Sequence, residues 1–269
     1  MTAVHPSTPT TRQPGQLEAH LRAQREAGRK LLVPYVTGGL AGWADAVRAL
    51  ADAGADAIEI GIPFSDPAMD GPVIQQASER ALAEGATPPA ILDAISDLDA
   101  GIPLVVMTYY NMVFRAGHER FAADLVASGV SGIILPDAPL EEQGPWREAA
   151  GPAGIETILL VGPITPDHRL TAACAASEGF IYGVNLMGTT GERVDLGERS
   201  ATLARRLKAA TDVPVLMGFG VATPEQAADV AAEADGVIVG SAYVRRLLDG
   251  APTDELHRFT AELRRALDA

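Results

Sequence analysis

The sequence predicts an α/β chain whose eight strands alternate with helices and close into a single (β/α)8 TIM barrel with an extra N-terminal helix. Three observations predict it. Eight short apolar runs recur along the 269 residues, with glycine or proline at nearly every run's end. Helical stretches separate them, and no shift in composition divides the chain, so one core is expected. The length is close to the roughly 250 residues that such a barrel takes. Near-continuous apolar strands fit a parallel sheet covered by helices. An open doubly wound sheet would alternate in the same way, but eight even units in this length favour closure.

Each element has its local reason. Residues 1–16, rich in Pro, Ser, Thr and Gln, read as a flexible tail before a catalytic domain spanning 17–269. Leu17 to Ala27 has helical spacing, and Gly28 suits a helix C-cap. Leu31 to Thr37 is the first strand, and Trp43 to Ala53 is a helix ended by Gly54. The second strand, Ala57 to Ile60, leads to a helix over Pro72 to Ala83; another helix spans Pro89 to Leu98. Ile102 to Tyr109 is the third strand, followed by a helix with Phe121, Leu125 and Val126 as its apolar stripe. Val130 to Leu135, Ile155 to Val161 and Phe180 to Val184 are strands four to six. Helices over 141–150 and 166–177 separate them, and a polar loop over 185–192 follows strand six. Leu196 to Ala210 is helical, Val213 to Met217 is strand seven, Pro224 to Ala234 is helical, and Gly236 to Val239 is strand eight.

Composition narrows the partners. A net charge of −14 argues against nucleic acid or an anionic membrane, so any phosphate site has to be built locally. The single Cys174 has no disulfide partner and reads as a small core or surface residue of a reducing compartment. The five histidines are scattered, without metal-ligand spacing; His118 and His168, at helix starts, read as surface residues. No apolar run approaches a membrane span, and a cytoplasmic protein is expected.

The most constrained stretch is Ala57 to Gln75, AIEIGIPFSDPAMDGPVIQ. Side chains alternate across a strand, so Glu59 faces away from Ile58 and Ile60. An unpaired buried carboxylate costs several kcal/mol or more, so such a group is paired, protonated or chemically active. A second acid, Asp70, stands before Gly71-Pro72, where it has the alternative role of capping the helix. Two carboxylates straddling one strand-to-helix loop mark acid–base chemistry. In a barrel the loops at the strands' C-terminal ends share one face. Tyr109 and Tyr182 fall there, with packing as their alternative role; Asp137, between two prolines, reads as a loop anchor. Gly218-Phe219-Gly220 and Gly240-Ser241-Ala242 follow strands seven and eight, where this fold often binds phosphate. Gly191, in the strand-six loop, is a third contributor, and Thr189 and Thr190 beside it suit a lid.

These residues together resemble the tryptophan synthase α subunit. The resemblance rests on Glu59 to Pro67 with Asp70-Gly71-Pro72, on Tyr109-Tyr110-Asn111 and on Leu135 to Pro139. Gly188 to Gly191 and the two glycine motifs after strands seven and eight extend it across nearly the whole chain after the tail. It implies a lyase that cleaves indole-3-glycerol phosphate to indole and glyceraldehyde 3-phosphate by retro-aldol chemistry. It implies that Glu59 protonates the indole ring carbon and that Asp70 stabilises charge at the indole nitrogen. Tyr182, Tyr109, Thr190, Phe219 and Ile74 are then expected at the substrate, and Gly191, Gly220, Gly240 and Ser241 at its phosphate. It further implies an α2β2 assembly with a β subunit that carries pyridoxal phosphate, and no cofactor on this chain.

The chain departs from the family at Gly39-Leu40-Ala41, Ala68-Met69, Met112 and Thr189. Two of these lie in loops that contact the β subunit in the family. The altered Ala68-Met69 and Gly39-Leu40 loops motivate a second reading, a stand-alone lyase releasing free indole. A barrel that binds sugar phosphates or partners without catalysis is a third, opposed by the retention of both Glu59 and Asp70.

Overall fold

The computed structural model describes residues 13–184, 193–218 and 220–269, with backbone alone at 193–197. Most of the expected tail, residues 1–12, lies outside these. Helix α1 (Gln16–Glu26) precedes strand β1 (Leu31–Thr37). Then come α2 (Trp43–Asp52), β2 (Ile58–Gly61), α3 (Pro72–Ala83), α4 (Pro88–Ser96) and β3 (Leu104–Met107). After them follow α5 (Tyr110–Ala116), α6 (His118–Ala127), β4 (Val130–Ile134), α7 (Gly144–Ala153), β5 (Glu156–Val161) and α8 (Asp167–Ala176). The chain continues through β6 (Ile181–Val184), α9 (Arg193–Ala210), β7 (Val215–Gly218), α10 (Pro224–Ala231) and β8 (Gly236–Val239). It ends in α11 (Ser241–Leu248) and α12 (Thr253–Leu267). The eight strands form one closed parallel barrel in chain order, with β1 also pairing to β8.

Alternation along each strand separates two cores. Leu31, Val33, Ala57, Val105, Ile134, Ile158, Phe180, Leu216 and Ile238 point inward and fill the barrel. Leu17 and Leu21 of α1 join them from below, fully buried, and plug its floor. Ile58, Ile60, Val106 and Ile133 take the opposite face and pack under the helices.

The base of the barrel is pinned by carboxylates with partners. Glu156 accepts the N–H groups of Leu17 at 2.6 Å and Glu18 at 3.1 Å, an anion at the positive end of α1. Asp56 accepts the Leu32 N–H and pairs with Arg29 at 2.8 Å and Arg264 at 3.1 Å. Asp235 pairs with Lys208 at 2.5 Å and accepts the Val215 N–H at 2.8 Å.

Several expectations need correction. The segment after β3 contains a separate helix, α5, whose start is fixed from outside: Asp137 Oδ1 accepts the Tyr110 N–H at 2.8 Å. Val126 is 48% exposed, while Phe121 and Leu125 are buried. It sits about 100° around α6 from Leu125, off the stripe. The expected helix over 141–150 is a single turn at Leu140–Glu142 and then α7. The two C-terminal helices follow the last expected strand, and α12 buries Leu256, Phe259, Leu263 and Leu267 against α2 and α10. His118 is half-buried, its Nε2 2.9 Å from the Tyr110 hydroxyl, whereas His168 is exposed. Cys174 is buried among apolar side chains.

Candidate active site

Glu59 lies on β2 opposite Tyr35 of β1, on the face that Ala57 directs into the barrel. Its side chain is 1% exposed, and neither carboxyl oxygen has a hydrogen-bond partner among the described residues. Burial, followed by the charge of Asp70, pushes its pKa up to about 8. At neutral pH it is therefore a neutral acid carrying a proton in an apolar surround. The structural alternative, a carboxylate held by an internal ion pair, does not describe it.

Asp70 closes the loop that leaves β2. The following helix α3 has no side-chain cap, so Asp70 does not fill that role. Burial raises its pKa to about 6, and the neighbouring Tyr109 hydroxyl pulls the other way. The two acids are thereby separated: near pH 7 one keeps its proton and the other is mostly ionised. Tyr109 stands two residues past β3 and ties the loop down, since its hydroxyl accepts the Met69 N–H at 2.9 Å. Its ring stacks on Phe64 with centroids 4.9 Å apart.

Two phenols flank Glu59, and each occupies room that a glycine leaves open. A Cβ at Gly61 would overlap the Tyr35 hydroxyl, and one at Gly218 would lie 2.7 Å from the Tyr182 hydroxyl. Burial raises the pKa of both phenols, and the charges of Glu59 and Asp70 raise them further. Tyr35 was not among the residues expected at the site. The alternation Leu31, Val33, Tyr35 along β1 is the signal that points to it. Thr37, next on the same face, is fully buried with an unpartnered hydroxyl.

Gly240 caps α11, with Ser241 exposed in its first turn, and an added Cβ at Gly240 would sit 3.7 Å from Tyr35 Cβ. The mouth of the barrel thus places a helix N-terminus, whose unpaired N–H groups suit an anion, beside the strand that faces Glu59. Gly220 has a φ of +68°, the left-handed region that favours glycine. Ile74 is half-buried on α3 and packs against the layer between strands and helices. Thr190, Gly191 and Phe219 lie outside the described residues. The described arrangement holds a buried, unpartnered carboxyl group, a second, half-buried acid and a helix N-terminus at one barrel mouth. That set suits protonation at carbon in a phosphorylated substrate.

Known proteins share this architecture and sequence. The family model described as "Tryptophan synthase alpha chain" matches residues 21–266. The tryptophan synthase alpha chain of Streptomyces coelicolor is 45% identical over 239 residues, covering 87% of this chain and 88% of that one. The Synechocystis alpha chain is 43% identical over 258 residues, covering 93% of this chain and 98% of its own. Among solved structures, a chain of Mycobacterium tuberculosis tryptophan synthase superposes with a TM-score of 0.88 at 38% identity. The match covers 96% of this chain and all of that one. With both sequence and fold matched over nearly their full length, the chain belongs to the tryptophan synthase alpha chain family.

Proposed function

We propose that this protein cleaves indole-3-glycerol phosphate to indole and glyceraldehyde 3-phosphate, with Glu59 moving the proton and Asp70 balancing charge. The observation that carries this reading is the buried, unpartnered carboxyl of Glu59 at the mouth of the barrel, where burial pushes its pKa up to about 8. Glu59 gives its proton to the ring carbon that bears the glycerol chain, and the ionised Asp70 accepts the indole N–H as positive charge gathers there. As the adjacent glycerol hydroxyl gives its proton back to the Glu59 carboxylate, its oxygen forms the aldehyde carbonyl while the carbon–carbon bond breaks and that bond's electron pair returns to the ring. One proton is delivered and one is taken up, so the carboxyl of Glu59 returns to its starting state with each turnover.

Phosphate held by Gly240 and Ser241, with Gly191 and Gly220, anchors the far end of the substrate. Tyr109, Tyr182, Thr190, Phe219 and Ile74 are assigned to the substrate's surround. Binding at this remote group helps to align the reacting bond. The reaction is assigned to the single barrel spanning 17–269, and the chemistry requires no cofactor of its own.

The working assembly is an α2β2 complex in which pyridoxal phosphate belongs to the β subunit. Large exposed apolar side chains on the segments that follow β2, β3 and β5 support a docking face: Met69 is 50% exposed, Phe114 of α5 67% and Ile164 81%. No described helix is long and apolar enough to cross a membrane, and we place the protein in the cytoplasm. The test is indole release from indole-3-glycerol phosphate, with and without an added β subunit. Turnover that rises sharply with the β subunit supports the assignment. Full turnover without β binding would leave a stand-alone lyase, and no turnover in either case would reject the reaction.

A further inference from the structure

We propose that Tyr35 is a positioning residue of this site, its hydroxyl serving as the hydrogen-bond donor to Glu59 whenever Glu59 is ionised. The inference rests on the proposed use of Glu59 as a proton donor. It starts from a deficit. Once its proton has left, Glu59 becomes a buried carboxylate, and an unpaired buried carboxylate is costly. Among the described residues the titratable groups facing Glu59 are Asp70, Tyr35 and Tyr182, and none is a cation. Val105 and Met107, on the neighbouring β3, are apolar. The negative charge therefore falls to neutral hydroxyls, with Asp70 opposing it.

Tyr35 is placed for that role by three independent features. It is the register partner of Glu59 across the β1–β2 ladder. Its ring is fixed by burial, at 8% exposure, and its hydroxyl has Thr37, next on the same strand face, as its polar neighbour. The hydroxyl also lies over Gly61, the residue two beyond Glu59 on the same strand face, where any side chain would displace it. The absence of any bond to the Glu59 oxygens in the resting site fits a neutral Glu59, which has no negative charge to share. Donors to a charged carboxylate shorten and strengthen once the charge appears. Tyr182 approaches from the far side over Gly218, so the anion would be received between two phenols.

The deciding measurement is the titration of Glu59 itself, followed by carbon NMR with carboxyl-labelled glutamate. The resonance is assigned by its loss in Glu59→Gln. In Tyr35→Phe, which keeps the ring, the midpoint should rise by about one pH unit, as expected for losing one donor to a charged group. Turnover should fall about tenfold in kcat, with KM little changed. Tyr243→Phe is the control, removing a buried hydroxyl 2.9 Å from Thr260 under the helices, and should leave the midpoint in place. A Tyr35→Phe midpoint that superimposes on the parent's overturns the proposal. Because this readout needs no turnover, it separates failure of the positioning role from failure of the lyase assignment, which the indole-release assay reports.

Discussion

The two ends of the barrel treat buried acids in opposite ways. At the base, Asp56, Glu156 and Asp235 each meet guanidinium, ammonium or backbone N–H groups. At the mouth, Glu59 is as buried as any of them and has no such partner. Burial raises the pKa of Asp56 and of Glu156, but cations or N–H groups oppose the rise at both. Nothing opposes it at Glu59. The contrast shows that these buried acids differ in their neighbours more than in their depth.

The largest effect tests the mouth. Glu59→Gln should lower kcat by about 10²–10⁴-fold while the protein stays folded. Its stability should also separate from the parent's with pH. Between about 4.5, the ordinary value, and about 8, the folded parent holds a proton that the unfolded chain has released. The parent therefore loses stability as pH rises through that window, and the glutamine variant does not. Melting curves should coincide near pH 4 and favour the variant above pH 8, by a few kcal/mol at most on roughly 1.4 kcal/mol per unit. Equal curves at both ends would show that Glu59 has a partner after all.

The complementary change tests the base. Asp56→Ala strands Arg264 and the Leu32 N–H, and should cost about 3 kcal/mol or more in urea unfolding while kcat holds in the protein that remains folded. A stable Asp56→Ala variant with lost activity would reverse the assignment of roles. Next comes the pH profile of kcat. Asp70 has to be ionised and Glu59 protonated, so activity should climb through about 6 and decline through about 8. A plateau reaching pH 9.5 would remove Glu59 as the acid. The smallest effect belongs to the surface: breaking the exposed Arg205–Glu233 pair with Arg205→Ala should change stability by less than about 1 kcal/mol.

Much of this was legible along the chain because period-two alternation and turn residues are local. The eight strands, the inward aim of Glu59 and the helix over Pro72–Ala83 follow from them. What was hidden depends on contacts between distant segments. Helix α5 starts where Asp137, 27 residues away, accepts its first N–H. Val126 looked like core because it is apolar, and only its angle around α6 shows otherwise. Tyr35 stood in the first strand as read, yet its closeness to Glu59 is a matter of register between β1 and β2. The vacant positions at Gly61 and Gly218 could not be matched to their phenols from spacing alone.

The leucine plug at the floor has a consequence for traffic. With Leu17 and Leu21 blocking the lower end, the barrel is a dead end rather than a tunnel. Among the described residues the floor offers no passage, so the small oily fragment departs past the same rim through which its charged parent arrived. Whatever protein sits over that rim governs where the fragment goes next.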